Sequence, residues 1–221
     1  MSIPKGKLLL AAAAMGAFAT PAMAAAGDTY VRVRAIMVAP NEKSGGILPA
    51  LPTETVSVNN SVMPEVDITK MVSDNIGFEL IAATTKHTAS GVTGVTGGIG
   101  KLASTWVLPP TLTAQYHFAP SGKVRPYVGA GVNYTLFHSE KATNAFEAAA
   151  GQTNVKMKSS FGWAGQVGVD IDLNERMFLN LDVKYIDIDT RATLVTTNLG
   201  TQSVKVSLDP LVFGVGVGFR L

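Results

Sequence analysis

From Thr111 to Phe118 the chain places Leu112, Ala114, Tyr116 and Phe118 on one side and Thr111, Thr113, Gln115 and His117 on the other. This is strand periodicity, because successive side chains of an extended backbone point to opposite faces. The pattern recurs along most of the sequence. Val31, Val33, Ala35 and Met37 alternate with Arg32 and Arg34, Val66 and Ile68 with Glu65, Asp67 and Thr69, and Phe78 and Leu80 enclose Glu79. Val128, Ala130, Val132 and Tyr134 oppose Gly129, Gly131, Asn133 and Thr135, with Val124 and Arg125 leading in. Phe161, Trp163, Val167, Val169 and Ile171 oppose Gln166, Asp170 and Asp172, and Leu179, Leu181, Val183 and Tyr185 oppose Asn180, Asp182 and Lys184. The chain closes with Leu211, Phe213, Val215, Val217, Phe219 and Leu221 against Gly214, Gly216, Gly218 and Arg220. About eight strands result, an even number, as a single-chain bacterial membrane barrel requires.

The connections between these strands fall into two kinds. Ser73-Asp74-Asn75, residues 119–123 and Asn174-Glu175 are short and made of turn residues. Residues 40–63, 86–108, 138–158 and 190–203 are long links. Short turns alternating with long loops is the outer-membrane arrangement, with turns on the periplasmic side and loops outside. A soluble sandwich has no reason to sort its connections this way.

Lys5 and Lys7 precede an apolar stretch beginning at Leu8, and Pro21 leads into Ala22-Met23-Ala24. These three parts match a secretory signal, so residues 1–24 are expected to be cleaved, leaving a barrel of residues 25–221. An anchor helix is disfavoured by the alanine-rich composition and by Pro21. No later stretch reaches the roughly 18 to 20 apolar residues that a helical span needs, so a membrane-embedded mature chain must be a barrel.

Hydrophobic residues make up 47% of the chain and charged residues 15%, which excludes a disordered protein. There are no cysteines, hence no disulfide, thiolate metal site or Cys nucleophile. A net charge of +2 without dense Lys/Arg clusters argues against nucleic acid as a partner.

Periodicity alone does not say which face meets lipid. A lipocalin-like barrel would turn its apolar face inward. The sorted connections, the charges shared among several polar faces and the aromatics near strand ends favour lipid outside. Trp106, Tyr134, Trp163, Phe78, Phe118, Phe178 and Phe219 suit interfacial girdles.

Five segments in order resemble the OmpW family of outer-membrane proteins. Tyr30-Val31-Arg32-Val33-Arg34-Ala35 with Pro40 resembles its first strand, and residues 124–134, Val-Arg-Pro-Tyr-Val-Gly-Ala-Gly-Val-Asn-Tyr, its fifth. Ala164-Gly165-Gln166-Val167-Gly168-Val169-Asp170 resembles the sixth, Lys184-Tyr185-Ile186-Asp187-Ile188-Asp189-Thr190 the seventh, and Leu208-Asp209-Pro210 with the glycine-rich ending the eighth. The resemblance implies an all-β, eight-stranded antiparallel transmembrane barrel in the outer membrane. It also implies an interior associated with small hydrophobic molecules, which enter from outside and leave sideways into the membrane. The last strand, with Gly216, Phe219 and Leu221, resembles a signal to the barrel-assembly machinery, although Leu221 stands where Phe is usual.

An eight-stranded barrel is only wide enough inside for side chains, so inward polar residues must pair with each other or with water. Arg32, Arg34, Glu65, Asp67, Glu79, Arg125, Gln166, Asp170, Asp172, Asp182 and Lys184 are the candidate lumen residues. A space-filling ion-pair network explains them better than substrate contact. Lys184 departs from the family, some members of which carry an aromatic at this place. Ile47, Leu48 and Leu51 are candidates for the lining of the entrance, and Pro49 and Pro52 keep that segment out of regular pairing.

No catalytic residues, cofactor or metal are expected. His87, His117 and His138 lack ligand spacing, and Ser139 lacks a nucleophile elbow. The glycine-rich run ending at Gly100-Lys101 fails as a phosphate loop because Leu102 follows, and it is read as a flexible loop. Residues 146–150 are read as a solvent-facing loop, since so short a helix is marginal. Two functions stand at this point: passive uptake of small hydrophobic molecules, or a structural or surface-interaction barrel without transport.

Overall fold

A computed structural model describes residues 26–221. The expected signal segment, residues 1–24, lies outside the described residues. In chain order the elements are β1 (Thr29–Ala39), β2 (Lys43–Ser44), β3 (Val56–Val58), β4 (Ser61–Met71), β5 (Ile76–Ala83), β6 (Thr85–Gly91), α1 (Gly94–Ile99), β7 (Lys101–Leu108) and β8 (Thr111–His117). There follow β9 (Val124–Ala142), α2 (Asn144–Ala150), β10 (Thr153–Met157), β11 (Ser160–Asp172), β12 (Met177–Ile186), β13 (Asp189–Thr196), β14 (Gly200–Ser207) and β15 (Leu211–Arg220).

Eight of these, β1, β4, β5, β8, β9, β11, β12 and β15, close into an antiparallel barrel. Closure comes from β15, which pairs with β1 from Arg220↔Tyr30 to Leu211↔Ala39, and from β9, which pairs with β11. Both edges of the terminal strand are satisfied, because β12 pairs with its other side. The described start and the C-terminus meet at the turn end, where the Leu221 amide donates to the Thr29 carbonyl at 2.9 Å.

Facing follows the period of two. Along β1, Tyr30, Arg32, Arg34, Ile36 and Val38 are buried inside, whereas Val33 and Met37 are exposed outside. The outer wall carries Ile68, Leu80, Leu112, Val128, Val167 and Val215, an apolar band too large for a water-facing surface. Lipid, not solvent, covers it, which decides against the lipocalin-like alternative. Phe78, Tyr116, Phe118 and Phe219 ring its turn end, and Tyr134, Phe161, Trp163 and Tyr185 its loop end. Tyr116 and Phe118 meet edge-on at 5.2 Å, and Trp163 lies 4.9 Å from Tyr185.

Two expected girdle residues belong elsewhere. Phe178 is fully buried in the lumen, because it shares the inward phase of Asn180 and Asp182. Trp106 sits above the band in β7, its ring stacked on His138 at 6.5 Å.

The long links are folded, not loose. β6 and β7 continue the β5–β8 hairpin upward, joined by β3 on one side and the outer half of β9 on the other. A second sheet, β10-β13-β14-β2, stands beside them. The barrel therefore extends well beyond the band. Residues 146–150 are also helical, within α2. Thr143 caps that helix by accepting from the Phe146 amide at 3.2 Å, and Phe146 and Ala150 are buried below it. Tertiary burial supplies what seven residues cannot supply alone. Likewise, part of the glycine-rich run forms α1, which Glu54 clasps by accepting from the Val95 amide at 2.8 Å and the Thr96 amide at 2.7 Å. Hydrogen bonding from Thr96 holds that carboxyl below the usual glutamate range.

Candidate functional site: a charged plug below an apolar vestibule

The lumen divides into two halves at one level. On β1 the inward residues run Arg32, Arg34, then Ile36 and Val38; on β5, Glu79 gives way to Ile81 and Ala83; on β12, Asp182 and Lys184 give way to Ile186.

Toward the turn end the side chains form one cross-linked network. Arg32 sits on β1 beside Asp67, its register partner on β4, and their atoms Nη1 and Oδ1 lie 3.1 Å apart. Its Nη2 crosses the lumen to Asp170 at 3.0 Å. The rings of Tyr30, Tyr127 and Phe178 lie 5.4 to 5.7 Å from the same guanidinium, a cation–π enclosure. Arg34 holds four carboxylates: Asp67 at 2.6 Å, Glu65 at 2.8 Å, Asp182 at 2.9 Å and Glu79 at 3.2 Å. Glu79 in turn accepts from Gln166 at 2.7 Å, Gln115 at 2.8 Å and Thr113 at 3.2 Å. At the turn end Arg125 and Arg220 both reach Asp172, at 2.5 and 2.9 Å.

This density needs space in a narrow barrel, and glycines provide it. A Cβ on Gly214 would stand 2.1 Å from Asp182 Oδ1, and one on Gly218 would stand 2.1 Å from the Phe178 ring. The glycine face of the last strand is thus the room into which the plug packs. Buried charges are tolerated only when paired and hydrogen-bonded, and here the Arg32 and Arg34 guanidiniums are each shared among several acceptors.

Lys184 caps the plug. Its Nζ bonds Asp182 at 2.7 Å and Glu65 at 2.8 Å. Immediately above lies a cavity of about 40 Å³ walled by Ile36, Val38, Ile81, Val107, Ile186 and Val212, with Glu65 and Lys184 at its floor. A second cavity of about 80 Å³ continues outward between Ile47, Leu102, Phe146, Val155, Leu194 and Val204. Val58, His87, Val107 and Leu208 line both. Together they form one apolar vestibule running from the outer sheets to the plug. His87 is its one shared ionisable group, and burial holds the imidazole below its ordinary value. Its Nδ1 donates to the Asn59 carbonyl at 2.9 Å, so Nε2 is the acceptor of the Thr85 hydroxyl at 3.0 Å.

The eleven lumen candidates are gathered here: Arg32, Arg34, Glu65, Asp67, Glu79, Gln166, Asp170, Asp182 and Lys184 in the main network, Arg125 and Asp172 at its turn end. The three entrance candidates separate. Ile47 lines the outer cavity, Leu51 packs half-buried against the apolar cluster, and Leu48 is 53% exposed. Sequence reasoning did not single out Gln115, Tyr127, Phe178 or Asn180 as lumen residues, although each lies on the polar phase of its strand. Among the described residues no group of three His, Asp or Glu is placed to hold a metal ion.

A family model described as the OmpW family matches residues 25–221. Outer membrane protein W of Escherichia coli (strain K12) is 41% identical over 198 residues, covering 88% of this chain and 89% of that protein. The crystal structure of the outer membrane protein OprG from Pseudomonas aeruginosa matches with a TM-score of 0.83 at 32% identity, covering 89% of this chain and 97% of that one. The NMR solution structure of the E. coli Outer Membrane Protein W matches with a TM-score of 0.58 at 38% identity, covering 90% of this chain and all of that one. A closed eight-stranded barrel, an apolar band for outer-membrane lipid and a family match across the whole described length agree: the chain belongs to the OmpW family and is an outer-membrane protein.

Proposed function

We propose that this barrel is a passive uptake channel for small hydrophobic molecules. The observation that carries the reading is the continuous apolar vestibule, open in lining from the outer sheets down to Lys184 and Glu65. Water gains little from such walls, whereas an apolar solute leaves water on entering them. The plug below offers no apolar path, so the solute's way out is sideways. One seam supports that route. β4 and β5 are paired only as far as Glu65↔Ala83, and the next residue up β4, Pro64, has no N–H to continue the ladder. No catalytic step and no cofactor enter the proposal. The last strand would be recognised by the barrel-assembly machinery before its edges close on β1 and β12.

Uptake of a hydrophobic fluorescent probe should fall in a deletion strain and return with the wild-type gene. Unchanged uptake in the deletion strain overturns the reading. The ion network itself favours one competing account, a rigid structural or surface-contact barrel. In that case deletion would weaken the envelope or cell contact and leave probe uptake as it was.

A further inference from the structure

The floor of the vestibule has a chemistry that its walls do not share. Lys184 Nζ carries three N–H donors and spends two of them on Glu65 and Asp182. Both ion pairs to Glu65, from Arg34 at 2.8 Å and from Lys184 at 2.8 Å, land on the same oxygen, Oε1. Glu65 is 3% exposed and lines the cavity, which leaves Oε2 as an acceptor at the floor of a chamber whose walls are apolar apart from Thr85, His87 and Thr111. A buried acceptor and a buried donor side by side call for a ligand that can answer both.

Resting on the uptake reading above, we infer that the vestibule selects amphiphiles with an uncharged head group that both donates and accepts hydrogen bonds, such as a primary alcohol or amide. The tail lies along Ile36, Ile81, Ile186 and Val212, and the head donates to Glu65 Oε2 while accepting from Lys184 Nζ. Desolvation decides against ionised heads. A carboxylate or an ammonium would lose its hydration in a largely apolar chamber, and a carboxylate would in addition face Glu65 and Asp182. A pure hydrocarbon fits the walls and leaves the floor unanswered.

The test uses the full-length protein in lipid nanodiscs and follows saturable binding of octanol, octanamide, octane, octylamine and octanoate, each corrected for partition into protein-free nanodiscs. Octanol and octanamide are expected to bind roughly tenfold or more tighter than octane, with the two ions weakest. The double variant Glu65→Met with Lys184→Met, of similar side-chain length and without a strong donor or acceptor, should abolish the preference for octanol over octane while keeping octane binding. The wild-type ranking alone decides the matter if that variant does not fold. Octane binding as tightly as octanol overturns the head-group inference and leaves the uptake reading standing. No saturable binding of any probe overturns both.

Discussion

The two halves of the lumen share one barrel, one period of two and the same strands, yet they fill their space by opposite means. Below Lys184, Arg32 and Arg34 cross-link residues from strands on every side. Above it, Ile36, Val38, Ile186 and Leu208 line space where no ion pair crosses, and His87 is held by hydrogen bonds to Asn59 and Thr85 alone. A cross-linked ionic half resists displacement, because separating one partner strands the others in low dielectric. An apolar half yields to any solute of fitting shape, because contact with a solute replaces contact with nothing. The contrast assigns closure to the lower half and binding to the upper.

The sharpest way to break this contrast is to unpick the plug. Arg34→Met leaves Glu65, Asp67, Glu79 and Asp182 without their shared cation and should cost about 3–5 kcal/mol, read as the shift of urea unfolding in lipid vesicles. A loss below about 1 kcal/mol would mean the network holds little together. Next comes the roof of the upper half. Phe146→Ala removes the buried ring that fixes α2 and should loosen that helix by about 2 kcal/mol, seen as faster amide exchange confined to α2 and its neighbours. Exchange rising equally in the plug would show that the two halves are not separable.

Leu208→Glu places a carboxylate at the level shared by both cavities and should lower uptake of an apolar probe roughly tenfold in a barrel that still assembles. Undiminished uptake would show that solutes bypass the vestibule. The smallest effect concerns pH. Burial lowers the His87 pKa from its ordinary 6.5, so the folded hairpin prefers the neutral ring. Its contribution is complete above that value and is lost as the pH falls from there through the lowered value of the folded state. Amide exchange in β6 and β7 should therefore accelerate beyond its intrinsic rate as the pH falls below about 6.5, and His87→Gln should flatten the change.

How far these halves could be read in advance depends on how far apart the partners lie. Arg32 with Asp67 and Arg34 with Glu65 are register partners on adjacent strands, so a period of two and one turn place them together. Arg32 with Asp170 is a contact across the lumen and Arg34 with Asp182 one over the glycine face of β15, and both exist only because β15 pairs with β1 to close the sheet. The outer extension was hidden for another reason. Residues 153–157, 189–196 and 200–207 form strands whose buried faces mix Val155, Leu194, Val204 and Val206 with Thr190, Thr196 and Gln202, so the alternation is short and interrupted by polar residues. Phe178 misled because aromatics suit a girdle and a cation-lined lumen equally, and only its phase distinguished them.

The sequence by itself determined the strands of the membrane band, their alternating faces and the sorting of short turns from long links. Each of these is local, set by which side chains can share one side of an extended backbone. The tertiary structure alone decided that the charges lock across the lumen, that the long links rise as a second tier, and that the charged and apolar halves meet at Lys184. Those outcomes depend on distances across a closed barrel, and no spacing along the chain encodes a distance before the barrel closes.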